Sequence, residues 1–341
     1  MRKRILGKTG LEVSEVGLGG LFTSSLGLGA EETARIVERA LELGINYIDT
    51  APGYADSELT LGQALRRLGS AADGLLISTK LGGRPQPFDP RDSKALRRSV
   101  DESRRLLGRE VIDLLMIHEP DRPLLYDWWT DPQRCEGPVM EVLEALKAEG
   151  TIRFTGLGGT TVAELAHFVS SDRFDAVLTA FNYNALFREA QYELLPAATS
   201  RQMGIIIGSV YGQGALGRRY DAVVKAKPIW LSKPRQEQLL AFYALLDELG
   251  LSITELSLRF VLSDPRVSCA LIGAKSAAQL EASVEAAERG PLPPEVLERL
   301  ERIAAMVPFR PFEEPMILPF NRGYSGPGFP NLGGGIPVGR L

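Results

Sequence analysis

Asp49, Tyr54, Lys80 and His118 are the residues of this chain whose types and placement could move a proton. In Gly44-Ile-Asn-Tyr-Ile-Asp49 a short apolar run with strand chemistry stops at a carboxylate. Pro52-Gly53 then turns the chain towards Tyr54. Farther on, the apolar run 75–78 leads into Lys80, and the run 111–117 leads into His118. A phenol with an unperturbed pKa of about 10 is a poor acid at neutral pH unless a cation steadies its phenolate. Lys80 can supply that cation, Asp49 would hold the ammonium in place, and His118 would donate a hydrogen bond that orients a substrate oxygen. Such a set protonates a carbonyl oxygen while hydride reaches the carbon, or runs the reverse. Taken singly, each residue has a plainer reading: a turn cap, a half-buried aromatic, a structural ion pair, a core histidine. Three of them at the ends of consecutive apolar runs, with Tyr54 on the loop after the first, point instead to one reactive rim.

Those runs belong to a regular alternation. Strands are expected at 16–18, 45–48, 75–78, 111–117, 153–157, 176–179, 204–207 and 268–272, each followed by an amphipathic or helix-compatible segment. Ser57 stands where a helix over 57–68 would take its N-cap. Further helices are expected at 31–43, 93–107, 138–149, 161–170, 188–199, 235–249, 252–263 and 276–289. Strand–helix repeats demand parallel strands with right-handed crossovers, and eight of them make a closed (β/α)8 barrel. A doubly wound open sheet is the alternative. It would carry a glycine-rich phosphate loop after its first strand, and Gly17-Leu-Gly-Gly-Leu-Phe lacks that spacing. Residues 4–14 read as a small hairpin ahead of the barrel. Residues 1–307 are read as one barrel domain and 308–341 as a Pro- and Gly-rich tail over its mouth.

Composition narrows the partners. A net charge of −4 with mixed signs offers no basic surface for nucleic acid or anionic membrane. No apolar run approaches membrane-spanning length, and Met1-Arg-Lys-Arg4 is followed by no apolar segment, so a cytoplasmic protein is expected. Cys135 and Cys269 make no disulfide framework. Assembly into a homo-oligomer is left open.

The chain resembles the aldo-keto reductases over about residues 4–290. The motifs that carry the resemblance are Leu6-Gly-Lys-Thr-Gly-Leu-Glu-Val-Ser14, Ile48-Asp-Thr-Ala-Pro-Gly-Tyr54, Ser78-Thr-Lys80, Asp113-Leu-Leu-Met-Ile-His118 and Leu271-Ile-Gly-Ala-Lys-Ser276. The resemblance implies a catalytic tetrad of Asp49, Tyr54, Lys80 and His118, with NAD or NADP lying across the barrel mouth and no metal. Gly158 and Gly159 fall where relatives often place Ser-Asn to hold the nicotinamide amide, and Leu178 falls near the position of an assisting Gln. Asn182 or Asn184 would then substitute, with Ser209 nearby. Gly273, Ala274, Lys275, Ser276 and Gln279 would meet the phosphate end, Gln279 standing where an NADP-selective Arg is frequent. Phe174-Asp-Ala-Val-Leu-Thr-Ala, Leu195-Pro196 and Gly212-Gln-Gly-Ala-Leu216 resemble the sugar and pyridoxal dehydrogenase branch, which implies a small carbonyl, aldose or hemiacetal substrate.

The loop 119–137 carries Tyr126, Trp128 and Trp129, and these aromatics, the two tryptophans above all, are expected either to wall the substrate or to anchor the loop to the barrel. In the tail, Phe309, Phe312, Phe320, Tyr324 and Phe329 are expected to pack on the barrel, with Phe312, Phe320 and Tyr324 opposite those tryptophans, the alternative being a tail that packs on a second subunit. Two rival functions remain: a cofactor-binding regulatory subunit, since the fold also serves potassium-channel beta subunits, and a barrel isomerase or lyase using Lys80 as a Schiff base.

Overall fold

The computed structural model describes residues 1–24, 27–84, 86–310, 314–315 and 317–320. A hairpin of β1 (Lys3–Ile5) and β2 (Glu12–Ser14) opens the chain. Eight parallel strands follow: β3 (Val16–Gly19), β4 (Tyr47–Asp49), β5 (Leu76–Leu81), β6 (Ile112–His118), β7 (Ile152–Gly159), β8 (Ala176–Ala180), β9 (Gly204–Gly208) and β10 (Cys269–Ile272). They close into a barrel in chain order, with β10 returning to β3 through the partners Ala270↔Val16 and Ile272↔Leu18. The open-sheet alternative is thereby excluded.

Helices α1 (Gly29–Glu42), α2 (Ser57–Leu68), α3 (Ser93–Leu107), α4 (Pro138–Ala148), α5 (Val162–Ser170) and α6 (Leu194–Ser200) fill the crossovers as far as β9. Between β9 and β10 lie α7 (Asp221–Ala226), α8 (Lys233–Leu249) and α9 (Ile253–Leu262), and α10 (Ala277–Glu288) and α11 (Pro294–Ala305) follow β10. Neither α7 nor α11 was expected. The apolar stripe Val296, Leu300 and Ile303 of α11 is buried, with Pro294 in its first turn, where a missing N–H costs nothing. The single helix expected over 188–199 is a short 3-10 turn, Glu189–Gln191, followed by α6.

Ser57 is not a cap. Asp56 precedes α2 without a side-chain cap bond, while the Ser57 hydroxyl donates to Gly20 O at 2.7 Å and lies 2.8 Å from Thr50 Oγ1. It ties the β3 and β4 ends to α2 instead.

The strands read as nearly continuous apolar runs because both of their faces are covered. One core lies between strands and helices. A second fills the lumen with Tyr47, Leu114, Met116, Ala176, Leu178, Ile206, Cys269 and Leu271, and the hairpin adds Leu6, Leu11 and Val13. Leu6 plugs the floor: a Cβ on Gly204 would lie 2.5 Å from its side chain. Packing of this kind leaves the opposite, C-terminal end of the strands for chemistry.

The described part of the tail crosses loops that follow β8 and β9. Phe320 stacks on Tyr220 at 4.4 Å and meets Trp230 edge-on at 5.2 Å. Glu314 accepts from the buried Arg235 at 2.9 Å, so this segment is held by an ion pair as well as by rings. Phe309 is exposed and touches only Tyr192 among aromatic rings of the described residues. The expectations for Phe312, Tyr324 and Phe329 lie outside the described residues.

Helix α2 packs on α3 at Gly62, where a Cβ would sit 1.9 Å from Leu106 O. Ala has the better helix propensity by about 1 kcal/mol, but backbone against backbone cannot yield without separating the helices, which costs about 1–3 kcal/mol or more. Gly62→Ala is therefore expected to lower the melting temperature by several degrees in a circular-dichroism melt. An unchanged melt would mean that the α2–α3 spacing relaxes freely.

Candidate active site

The barrel brings the four candidate residues together at the C-terminal ends of adjacent strands. Asp49 ends β4, Lys80 lies one residue from the end of β5, and His118 ends β6. Lys80 Nζ donates to Asp49 Oδ2 at 2.7 Å and to Thr50 O at 2.9 Å, and the Ser78 hydroxyl donates to Asp49 Oδ1 at 2.7 Å. Lys80 and Asp49 are buried, so the pair holds only because each charge is met by a partner. The turn after β4 is fixed by Tyr54 N donating to Ala51 O at 3.1 Å and by the left-handed Ala55, φ 51°. It sets the Tyr54 ring 4.7 Å from Lys80 Nζ and 5.7 Å, edge-on, from the His118 ring.

Electrostatics sort these groups into protonation states. Burial works against the charge on Lys80, but Asp49 and Tyr54 outweigh it and hold the ammonium above its ordinary pKa. For Tyr54 burial is the largest influence and raises the phenol; Lys80 pulls it down and Asp49 pushes it up. The expected effect of Lys80 is present in direction, yet the phenol ends above its ordinary value, because the same carboxylate that fixes the ammonium offsets part of its field. Tyr54 therefore rests protonated. His118 is driven well below its usual pKa by burial and by the cations Lys80 and Arg122, so it is neutral, and its buried Nδ1 has no hydrogen-bond partner among the described residues.

Two acids beside His118 escaped the sequence reading. Glu119 N donates to Gly158 O at 2.7 Å, and Glu119 Oε2 accepts from Thr160 Oγ1 at 2.9 Å. Asp121 Oδ2 accepts from the backbone of Thr160 at 2.8 Å and from that of Thr161, clamping the start of α5. Burial and Asp121 push the Glu119 carboxyl up to about 7, against the opposing pull of Arg122, Thr160 and Lys80. The visible signal was Glu-Pro-Asp directly after a strand-end histidine.

The expected cofactor residues divide. A Cβ on Gly158 would lie 3.3 Å from Lys80 Cε, and one on Gly159 would lie 2.2 Å from Asp121 Oδ1. Gly158 thus faces Lys80, whereas Gly159 makes room for the Asp121 clamp. Asn182 Nδ2 donates to Thr160 O at 2.7 Å, tying the β7 and β8 loops. Asn184 is turned into its own loop, where Oδ1 accepts from Leu186 N and Phe187 N at 3.0 Å each. Leu178 belongs to the lumen core. Ser209, just past β9, has a left-handed φ of 56°. In the turn Gly273–Ser276 after β10, Ser276 Oγ accepts from Gln279 N at 3.3 Å, and Gln279 Oε1 accepts from Lys275 N at 2.9 Å. Ser276 is thus the N-cap, and Gln279 reaches back one residue beyond it, so Gln279 is engaged in starting α10.

Of the two roles expected for the tryptophans, wall or anchor, the structure shows the anchor. Trp128 is fully buried and its indole donates to His118 O at 2.9 Å; Trp129 packs on Phe168 and donates to Pro120 O at 2.9 Å. Both pin the loop after β6 to its strand, because a buried indole N–H needs an acceptor. Tyr126 is the partly exposed ring on that loop, 6.5 Å from His118. Among the described residues no group of three or more His, Cys, Asp or Glu could hold a metal, and no helix is long and apolar enough to cross a membrane.

A carboxyl raised from 4.5 to about 7 holds its proton more tightly in the folded chain than in the unfolded one. Folding stability should then fall as pH rises from near 4.5 to 7, by roughly 3 kcal/mol at most. Glu119→Gln removes that loss. Its melting temperature is expected to gain on the parent between pH 5 and pH 8 by several degrees in differential scanning calorimetry; a constant gap would show that Glu119 does not titrate in this window.

Comparison with known proteins agrees with this fold. L-galactose dehydrogenase of Arabidopsis thaliana is 30% identical over 292 residues, covering 83% of this chain and 87% of its own. A probable voltage-gated potassium channel subunit beta from the same plant is 26% identical over 337 residues, covering 91% and 99%. The solved aldo-keto reductase AKR11C1 from Bacillus halodurans, in its holo form, superposes with a TM-score of 0.70 at 27% identity, covering 89% of this chain and 96% of that one. Residues 15–305 match the model of the Aldo/keto reductase family, a span that holds all eight barrel strands and the whole Asp49–Tyr54–Lys80–His118 cluster, and the chain belongs to that family.

Proposed function

We propose that the protein is an NAD- or NADP-dependent oxidoreductase that exchanges hydride between nicotinamide and a small carbonyl or hemiacetal compound of the aldose type. The observation that carries the reading is the Tyr54 ring held 4.7 Å from a buried ammonium that makes two hydrogen bonds, with the His118 ring at its edge. His118 donates a hydrogen bond to the carbonyl oxygen and orients it. Tyr54 delivers its proton to that oxygen, and Lys80 stabilises the phenolate left behind. Asp49 touches neither substrate nor phenol proton; it keeps Lys80 charged and in place.

The nicotinamide supplies or accepts the hydride. Two features of the rim fit such a group: Gly158 is bare on the side facing Lys80, and His118 Nδ1 is a buried nitrogen awaiting a partner. Gly158, Asn182 through its oxygen, and Ser209 would hold the nicotinamide end. Gly273, Ala274, Lys275 and Ser276, at the start of the twelve-residue α10, would hold phosphate. Gly159 and Gln279 act on these contacts only by shaping the backbone.

We read residues 1–307 as one domain and 308–341 as its tail, and place the protein in the cytoplasm, where Cys135 and Cys269 would stay reduced as the free thiols they are. The channel-subunit relative supports a second reading, a cofactor-binding subunit with little turnover. Steady-state assays of aldoses and aldehydes with each dinucleotide separate the two.

Tyr54→Phe is expected to cut kcat by roughly a hundred- to ten-thousand-fold while leaving the dinucleotide Kd, read by fluorescence titration, near that of the parent. Retention of most turnover would remove Tyr54 from proton transfer. Lys80→Met should also collapse turnover. Without the ammonium the phenol pKa climbs further, so the residual alkaline limb of the reductive pH profile should move upwards; an unmoved limb would make Lys80 a structural residue.

A further inference from the structure

The hydroxyls of Thr23, Thr50 and Ser57 meet beside the turn that carries Tyr54, and all three side chains are buried. Ser57 Oγ donates to Gly20 O at 2.7 Å, and Thr23 Oγ1 donates to the same carbonyl at 2.8 Å. A hydroxyl has one proton to give. With the Ser57 proton committed to Gly20, the 2.8 Å contact between Thr50 Oγ1 and Ser57 Oγ is made by the Thr50 proton. Ser57 thus donates and accepts at once. Thr50 and Ser57 are both 0% exposed, so solvent cannot replace either bond.

Both reactive groups lean on the two residues that share this bond. Thr50 O accepts from Lys80 Nζ at 2.9 Å, while Thr50 N donates to Ser78 O at 2.9 Å. Ser57 N donates to Tyr54 O at 3.0 Å, and Tyr54 N donates to Ala51 O at 3.1 Å. The residue that holds the ammonium is therefore joined, hydroxyl to hydroxyl, to the residue that holds the backbone of the phenol. The end of β3 presses on the same place: a Cβ on Gly20 would lie 2.5 Å from Asp49 O and 3.0 Å from Ser57 Oγ. A serine at a helix start commonly turns its oxygen onto the first N–H groups of the helix. Here the oxygen points to β3 and β4 instead, and α2 gains no cap from it.

Resting on the hydride-transfer reading above, we propose that Ser57 is a positioning residue for proton transfer: its hydroxyl locks Thr50 against the start of α2 and so fixes the Lys80 ammonium relative to the Tyr54 phenol. It acts through Thr50 and Tyr54 and needs no contact with substrate or nicotinamide. Without the hydroxyl the turn keeps its backbone bonds but loses the side-chain tie across its ends, and Thr50 O is free to drift with Lys80. The field of the ammonium at the phenol weakens with distance. A misplacement of about 1 Å can slow a reaction by roughly a hundredfold.

The test follows single-turnover oxidation of the reduced dinucleotide by glyceraldehyde across a pH series. Ser57→Ala and Thr50→Val remove the same bond from opposite ends. Each should slow hydride transfer roughly 10- to 100-fold with the dinucleotide Kd within about twofold of the parent. Each should also move the alkaline limb upwards, the direction expected of Lys80→Met. The double variant should be no slower than the slower single one. Thr50→Ser, which keeps the hydroxyl, should restore most of the rate. Thr23→Val takes another buried hydroxyl from the group but leaves the Thr50–Ser57 bond. It should lower the melting temperature while the rate stays within about twofold and the limb does not move. Rates that fall in step with melting temperature across Ser57→Ala, Thr50→Val and Thr23→Val would overturn the proposal, as would an unmoved limb in the first two. Should Ser57→Ala fail to fold, Thr50→Val carries the same comparison. Failure of the parent to reduce any carbonyl would instead count against hydride transfer. Ser57 is then decided by the Tyr54 Cζ resonance of protein carrying isotope-labelled tyrosine, assigned by its loss in Tyr54→Phe. It should move in Ser57→Ala and Thr50→Val and hold in Thr23→Val; an unmoved resonance in the first two leaves Ser57 a structural residue.

Discussion

The buried pair of Lys80 and Asp49 is the constraint on which the barrel end depends. Removing two charges from water is unfavourable unless their remaining hydrogen-bonding capacity is met. Here Ser78 meets one carboxylate oxygen and the Thr50 carbonyl meets the ammonium. Those partners lie on β4 and β5 and in the turn between β4 and Tyr54, so satisfying the pair fixes strand register and turn together. Once it is fixed, the space above Lys80 is defined, and a glycine at 158 follows because any side chain there would press on the lysine stem.

The same pair limits how far the phenol can be acidified. A lone buried cation would pull Tyr54 down strongly, but a lone buried cation would not stay charged. Asp49 keeps the charge on Lys80 and in doing so returns part of the phenol's pKa. A protein that holds its lysine this way favours a proton donor at rest over a standing phenolate.

Much of this was legible beforehand because the strands are apolar runs that end abruptly in ionisable residues, and a parallel barrel puts all such ends on one face. What stayed hidden depended on direction. Trp128 and Trp129 have the right type for a sugar platform, but their indole N–H groups bond to the carbonyls of His118 and Pro120, a choice that composition cannot display. Ser57 stands at a helix start, yet its hydroxyl answers a carbonyl from β3's end, 37 residues earlier. Glu119 looked like an ordinary loop acid because its burial comes from Thr160, 41 residues onward. Helix α11 carried a readable stripe, but the strand–helix count of the barrel was already complete without it.

The N-terminal hairpin has a kinetic side. Arg4 donates to the carbonyls of Leu262, Asp264 and Val267, while β3 finds its second neighbour only in β10. The hairpin therefore waits for a segment made some 250 residues later. Contacts of such sequence separation are slow to form. Until they do, β3 is an unpaired edge on one side, and Leu6, Leu11 and Val13 have no floor to fill. Ring closure is thus a late event on the ribosome, and the nascent chain must be kept from associating with its neighbours until the last strand has emerged.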